Sequence, residues 1–212
     1  MPRLIVLNGP PGVGKSTLAR HYAAEHPLAL ALDLDSVRRL LGRWSDDPNR
    51  AGLLARELTL AMARTHLDAG LDVVLPQYLG NPRFLVQAEE VATAAGADFH
   101  EFVLMDDRDE SVRRFEARTA AAAEPAHVEA GRLVEQLGGR ETLFVMYDRL
   151  LLLLSARPHA QVLLCREGTA DAVYARMLDA LGDQRLAVGQ VDRGGDEEAD
   201  AEGGDASPDG RG

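Results

Sequence analysis

One short stretch constrains this chain's fold more than anything after it. Arg3 to Leu7 reads as a buried strand, Gly9-Pro10-Pro11-Gly12-Val13-Gly14-Lys15-Ser16 follows as a glycine-rich turn, and Lys15 to Glu25 reads as a helix. Strand, turn and helix at this spacing match the P-loop pattern G-x-x-x-x-G-K-[ST]. Glycines let the backbone curl until consecutive amides face one centre. The helix N-terminus adds the favourable end of its dipole. In such a curl Lys15 can neutralise the β- and γ-phosphates and the Ser16 hydroxyl can bind magnesium. Thr17 can support an upstream phosphate through its amide and hydroxyl. The cradle is therefore assigned to Gly9, Gly12, Val13, Gly14, Lys15, Ser16 and Thr17, with a nucleoside triphosphate and Mg2+ as its ligands.

Lys15 is the only lysine, set against 22 arginines. A mobile point charge on a thin stem fits inside the curl, where a planar guanidinium would not. The arginine bias elsewhere makes the exception informative.

After this motif, strand-like and helix-like runs alternate. Strands are expected at Leu28–Leu32, Leu71–Leu75, Phe99–Met105 and Gln161–Cys165. Helices are expected from Ser36 to Leu41, Leu53 to Ala69, Pro82 to Ala95, Asp109 to Ala121, Val128 to Leu137, Tyr147 to Ser155 and Thr169 to Gly182. In the second of these, Leu54, Leu58, Ala61, Met62 and Thr65 form the periodic face. Residues 42–50 read as a loop, and Asp72 as solvent-facing. Strands separated by helices call for right-handed crossovers and a parallel sheet covered on both faces. The expectation is one α/β domain over residues 1–191.

The formal charge of -11 says less about the substrate than it first suggests. Residues 192–212 hold eight acids and two arginines among glycines, the composition of a disordered tail. The rest carries only -5. Cys165 is the only cysteine, which excludes a disulfide framework and reads as a buried thiol. The N-terminus has no leader pattern, and the run Leu150–Leu154 is far short of the roughly 20 residues needed to span a bilayer. A cytoplasmic location with no membrane partner is the expectation.

Beyond the cradle, Leu32-Asp33-Leu34-Asp35-Ser36-Val37-Arg38-Arg39 leaves the second strand on the edge where open α/β sheets bind ligands. A carboxylate there can orient a hydroxyl and accept its proton, which makes Asp35 the candidate base. The alternative for Asp35 is a helix cap. Arg38 can hold an anionic group of the acceptor, and Asp33 can assist magnesium or simply hold the loop. The third strand ends in Pro76-Gln77 rather than in an acid, which argues against a motor-type ATPase. Gln77, Tyr78 and Arg83 are candidates for an acceptor pocket. Arg114 and Arg118, four apart on one helix, can close on the γ-phosphate as part of a lid. The alternative is a solvated face paired with Asp109, Glu110 and Glu116. The alanine-rich run 119–123 suits a flap, and residues 166–169 suit a loop passing the base. The six histidines show no metal spacing.

Through Gly9 to Ser16, the Asp35-to-Arg38 step and the Arg114–Arg118 pair, the chain resembles a small P-loop kinase family. That family includes polynucleotide 5′-hydroxyl kinase, chloramphenicol phosphotransferase and the zeta-toxin kinases. The resemblance spans roughly residues 3–182. It implies a nucleoside-kinase-like P-loop fold, three-layer α/β/α with a five-stranded parallel sheet and a small helical lid around residues 109–140. It implies Asp35 as base, Arg38 as the grip on a substrate phosphate, and Arg118 as the arginine assisting the transferring phosphoryl.

The resulting expectation is an ATP-dependent kinase acting on a hydroxyl of a small-molecule acceptor. A polynucleotide 5′-hydroxyl is the alternative acceptor, although no basic and aromatic cluster stands between the second and third strands to grip a nucleic acid. The third reading is a non-catalytic nucleotide-binding regulatory module.

Overall fold

The computed structural model describes residues 1–121, 125–165 and 169–183. The expected acidic tail, the 166–168 part of the base loop and the 122–124 part of the flap lie outside the described residues. Five strands, β1 (Arg3–Asn8), β2 (Leu30–Ala31), β3 (Val73–Pro76), β4 (Asp98–Met105) and β5 (Gln161–Leu164), form one sheet in the order β2-β3-β1-β4-β5. Every pairing is parallel.

The helices are α1 (Lys15–Glu25), α2 (Leu34–Arg39), α3 (Pro48–Asp68), α4 (Pro82–Ala94), α5 (Arg108–Ala121), α6 (Pro125–Gln136), α7 (Arg140–Ala156) and α8 (Ala170–Ala180). β1 is central and buried from Leu4 onward, and its alternation divides the core. Leu4 and Val6 face Ala55, Ala63, Leu85, Ala88 and Leu150 from α3, α4 and α7. Ile5 and Leu7 face Leu18, Tyr22, Val173 and Met177 from α1 and α8. Each such aliphatic side chain contributes roughly 1.5–3 kcal/mol by leaving water. The result is the three-layer α/β/α fold that the alternation of runs predicts.

A third, smaller cluster of Val112, Phe115 and Leu143 holds α5 and α6 to α7 and forms the helical lid. Among the described residues, no helix is long and apolar enough to cross a membrane.

Several boundaries differ from expectation for identifiable reasons. α3 starts at Pro48, because the Asp47 side chain accepts from Arg50 N (3.1 Å) and Pro48 stands where a missing N–H costs nothing. Only Trp44–Asp46, a single 3-10 turn, and short links remain of the expected loop. The buried face of α3 is Ala51, Ala55, Thr59, Ala63 and Leu67, whereas Leu54, Leu58 and Met62 are exposed. Small side chains let this helix lie close on the sheet. α7 is eight residues longer than expected and begins after Gly139, at the expected glycine break.

Asp72 is not solvent-facing: it accepts from Arg3 N (2.8 Å) and from the Tyr22 hydroxyl (2.7 Å). Pro76 is tolerated inside the sheet for a directional reason. Gln77 N donates to Leu7 O (3.0 Å), so by alternation the N–H that Pro76 lacks would point towards β2, which ends at Ala31.

Candidate active site

The site grows from the carboxyl end of β1. Asn8 is completely buried there. Its Oδ1 accepts from Gly9 N (2.8 Å) and Leu79 N (2.9 Å), while its Nδ2 donates to Leu79 O (3.0 Å). One amide side chain therefore joins the start of the glycine turn to the loop after β3. The turn then takes three backbone conformations that L side chains rarely adopt, φ 147 at Gly9, 92 at Gly12 and 108 at Gly14. A Cβ at Gly9 would lie 2.5 Å from Leu104 O, and one at Gly12 would lie 3.0 Å from Phe115 N. These glycines are thus set by close approach to β4 and to α5.

Inside the curl, Lys15 Nζ donates to the carbonyls of Gly9 and Pro10, both at 2.9 Å. Burial pushes its amine down to about 7; Arg118 pushes the same way, and Asp35 and Asp33 oppose. Ser16 and Thr17 sit exposed in the first turn of α1, where helix N–H groups have no intrahelical partner. This donor set fits a polyphosphate. The glycines at 9, 12 and 14 let the turn curl, the first turn of α1 offers amides, and an entering anion would restore the ammonium. The Ser16 hydroxyl, with the Asp33 carboxylate on the facing segment, could hold Mg2+.

Asp33 and Asp35 flank the start of α2, and the structure separates their tasks. Asp33 is the N-cap, accepting at Oδ1 from Asp35 N (2.8 Å) and Ser36 N (3.3 Å). The capping alternative weighed for Asp35 therefore belongs to Asp33, because α2 begins at Leu34 rather than Ser36. The Asp35 side chain, free of the capping role, pairs with Arg38 one turn along α2. Burial raises its pKa, and the Arg38 guanidinium, 3.0 Å from Oδ1, pulls in the other direction. Arg38 is also 3.2 Å from Glu129 of α6 and lies 4.7 Å over the Trp44 ring. Glu129, pairing with Arg38 and, at 3.9 Å, with Arg39, links the lid to α2.

On α5 the two arginines diverge. Arg118 lies 5.9 Å over the Phe115 ring, and its charge is felt at Lys15. Arg114 is engaged by Asp106 (3.0 Å) and Glu110 (3.2 Å). Asp106 terminates β4 and is almost wholly buried. Cys165, the expected buried thiol, lies at the end of β5, and burial raises its pKa.

The acceptor-pocket candidates are only partly brought together. Tyr78 and Arg83 line a cavity of about 690 Å3 between α3, the β3–α4 loop, α4 and α7. The Tyr78 hydroxyl donates to Met146 O (3.0 Å), and Gly80 leaves space for its ring. Gln77 enters through its backbone, in the bond to Leu7 that continues the sheet.

Sequence reasoning missed Asn8, although a lone amide closing an apolar strand just before Gly9 is a readable signal. It also missed Arg56 and Arg149 in the cavity, and Glu129 at the lid contact. Their meeting depends on packing between distant helices, for which the sequence carries no local sign.

A family model described as an AAA domain matches residues 4–143. No curated protein matches the chain. Among solved structures, the Mycobacterium tuberculosis APS kinase CysC in complex with AMPPNP and APS is similar, at 18% identity and a TM-score of 0.56, covering 85% of this chain and 98% of that one. A gluconokinase from Sinorhizobium meliloti 1021 superposes with a TM-score of 0.52 at 17% identity, over 87% of this chain and 98% of that chain. A chain of the Pnkp1/Rnl/Hen1 RNA repair complex gives 0.57 at 18% identity, over 73% of this chain and 46% of that chain. At these identities the likeness establishes the fold alone, a three-layer α/β/α architecture with a five-stranded parallel sheet.

Proposed function

The chain belongs to the AAA domain family, and on that premise we propose that it is an ATP-dependent phosphotransferase that moves the γ-phosphoryl of ATP to a hydroxyl of a small-molecule acceptor. The observation that carries this reading is the convergence of Lys15, Arg118 and Asp35. Arg118 and Asp35 both act on the Lys15 amine, the lid guanidinium lowering its pKa and the carboxylate in the first turn of α2 raising it. Two cations brought together around a glycine turn create a place for an anion. A carboxylate beside them supplies a proton acceptor, which a purely nucleotide-binding module has no need of.

In this reading the amides of the turn and of Ser16 and Thr17 hold the phosphates of ATP. The Ser16 hydroxyl, with Asp33 nearby, would hold Mg2+, which would supply charge neutralisation on the β- and γ-phosphates. Asp35 orients the acceptor hydroxyl and takes its proton as the oxygen bonds to the γ-phosphorus. The bond from that phosphorus to the bridging oxygen breaks, and ADP leaves with the electron pair. Lys15 and Arg118 offset the charge on the moving group, and the closed lid excludes water. Arg38 contacts an anionic part of the acceptor by exchanging its Glu129 partner. Arg114 fixes α5 through Asp106.

The test is an ATP-consumption screen over nucleosides, sugars, phenylpropanoid and aminoglycoside-like antibiotics and 5′-hydroxyl oligonucleotides. Acceptor-dependent ADP formation that falls in Asp35→Asn supports the reading. Nucleotide binding without turnover on any acceptor overturns it.

A further inference from the structure

Arginines in this fold are, as a habit, given carboxylates. Arg3 meets Asp183, Arg64 meets Asp68, Arg108 meets Asp148 and Arg157 meets Glu101. Arg50, Arg132 and Arg176 also lack an ion pair among the described residues, but three further arginines without one share a single cavity. Arg56 on α3, Arg83 on α4 and Arg149 on α7 all line the space of about 690 Å3 beside Tyr78. Among the described residues none of the three makes an ion pair, and Glu57 is the only acid in the lining. Positive side chains from three separate elements thus outnumber the single acid of the lining.

The cavity is joined to the cradle by construction. Its loop wall, Tyr78 to Asn81, leaves the same edge of the sheet as the glycine turn. Asn8 binds Leu79 of that wall and Gly9 of the turn with one side chain. The cavity also opens on the first turn of α4, capped by Asn81, whose dipole favours an anion. A volume of this size suits a small molecule rather than a polymer strand.

We infer that Arg56, Arg83 and Arg149 form an anion-binding subsite, so that the acceptor is a small hydroxyl compound carrying a phosphate or carboxylate group. The planar forks of the three guanidiniums match both groups through paired N–H donors. The inference rests on the phosphotransferase reading for the word acceptor, but the subsite itself is measurable without any transfer.

The experiment is calorimetric binding to the full chain, using matched probes: ribose 5-phosphate against ribose, gluconate against glucose, and adenosine monophosphate against adenosine. ATP binding is measured in parallel to report on the cradle. The charged member of at least one pair is expected to bind at least tenfold more tightly. Arg56→Gln, Arg83→Gln and Arg149→Gln should each erase most of that preference, with Arg→Lys variants keeping part of it. All three residues are exposed, so the variants should fold, and unchanged ATP binding verifies it. Equal affinity for charged and uncharged members throughout, or a preference that survives all three Gln variants, would overturn the inference. So would a 5′-hydroxyl oligonucleotide binding more tightly than every small probe through the same arginines. If the preference is found and no phosphoryl transfer is, the subsite stands and the kinase reading falls.

Discussion

Asn8 clamps Leu79: the amide at the end of the central strand donates to the Leu79 carbonyl and accepts from its N–H, while accepting also from Gly9. The glycine turn and the loop lining the neighbouring cavity are thereby fixed relative to each other through one buried residue. Catalysis by positioning requires that kind of rigidity, since misplacement of about 1 Å between reacting groups can cost a hundredfold in rate.

Asn8→Ala should therefore damage two properties at once. It leaves the Leu79 N–H, the Leu79 carbonyl and the Gly9 N–H without their partner inside the protein. Buried groups left unsatisfied cost about 1–3 kcal/mol each, and partial relaxation should hold the total near 3 kcal/mol. Urea unfolding measures the loss, and the affinity for ATP should fall with it. A variant as stable as the parent would show that the clamp is dispensable.

Gly12→Ala tests the contact between cradle and lid. Its φ of 92 and the Phe115 backbone at 3.0–3.1 Å leave no space for a methyl group. Backbone on the other side cannot swing away as a flexible side chain would. The expected outcome is a displaced α5, at least tenfold weaker ATP binding and a stability loss of about 1–3 kcal/mol from strain. Calorimetry and thermal unfolding read the two effects separately.

Lys15 gives a prediction in pH. With its amine held near 7, the unliganded protein keeps Lys15 mostly neutral at pH 8, whereas bound polyphosphate favours the ammonium. ATP binding should then take up a proton at pH 8 and progressively less below pH 7. Calorimetry in buffers of different ionisation enthalpy measures it. The linkage also has a sign for stability. Between about pH 7 and the ordinary lysine value the unfolded chain binds the extra proton, so the Lys15 contribution to stability rises with pH across that window. Below pH 7 both states hold the proton and the slope vanishes. Since Lys15 is the only lysine, an amine-directed acylating reagent at pH 7.5 should label it and the N-terminus alone, and ATP should protect it.

Asp35→Asn should lower kcat by about a hundredfold to ten-thousandfold, the usual range for a positioned base, while leaving ATP affinity nearly intact. Burial raises the Asp35 pKa, so the acid limb of kcat/KM should lie above the ordinary carboxylate value, drawn back in part by Arg38. A limb at or below that ordinary value would detach it from this residue.

The sequence made the cradle readable because strand, glycines and helix are local and mutually consistent. The central place of β1 was less accessible, since order in a parallel sheet depends on which crossover packs where. At Asp33-Leu34-Asp35 a two-residue slip in the start of α2 moved the cap from one aspartate to the other. Both types cap equally well, so only the backbone decides. On α3 the larger apolar residues drew attention away from the buried Ala51, Ala55 and Ala63, because hydrophobicity ranks Leu above Ala while close helix–sheet packing favours small size. The cavity arginines come from helices with no sequence proximity, and nothing local joins them.

Arg114 and Arg118 look equivalent in sequence, and the structure predicts opposite phenotypes. Arg118 contributes positive potential at Lys15, so Arg118→Gln should cost kcat about a hundredfold to a thousandfold, as for removal of one preorganised donor, with little change in stability. Arg114 supplies the cation for the Asp106 carboxylate, which is 1% exposed. Losing one partner of a fully buried pair costs about 3–5 kcal/mol. Because Arg114 is itself 40% exposed and partly screened, Arg114→Gln should cost nearer 2 kcal/mol. The double variant Arg114→Gln with Asp106→Asn should recover part of that loss, because the stranded charge is removed with its partner. Thermal unfolding of the four proteins, alongside single-turnover rates, distinguishes the two arginines. Equal losses of rate in both single variants, with stability untouched in each, would return Arg114 to the phosphoryl-binding face of the lid.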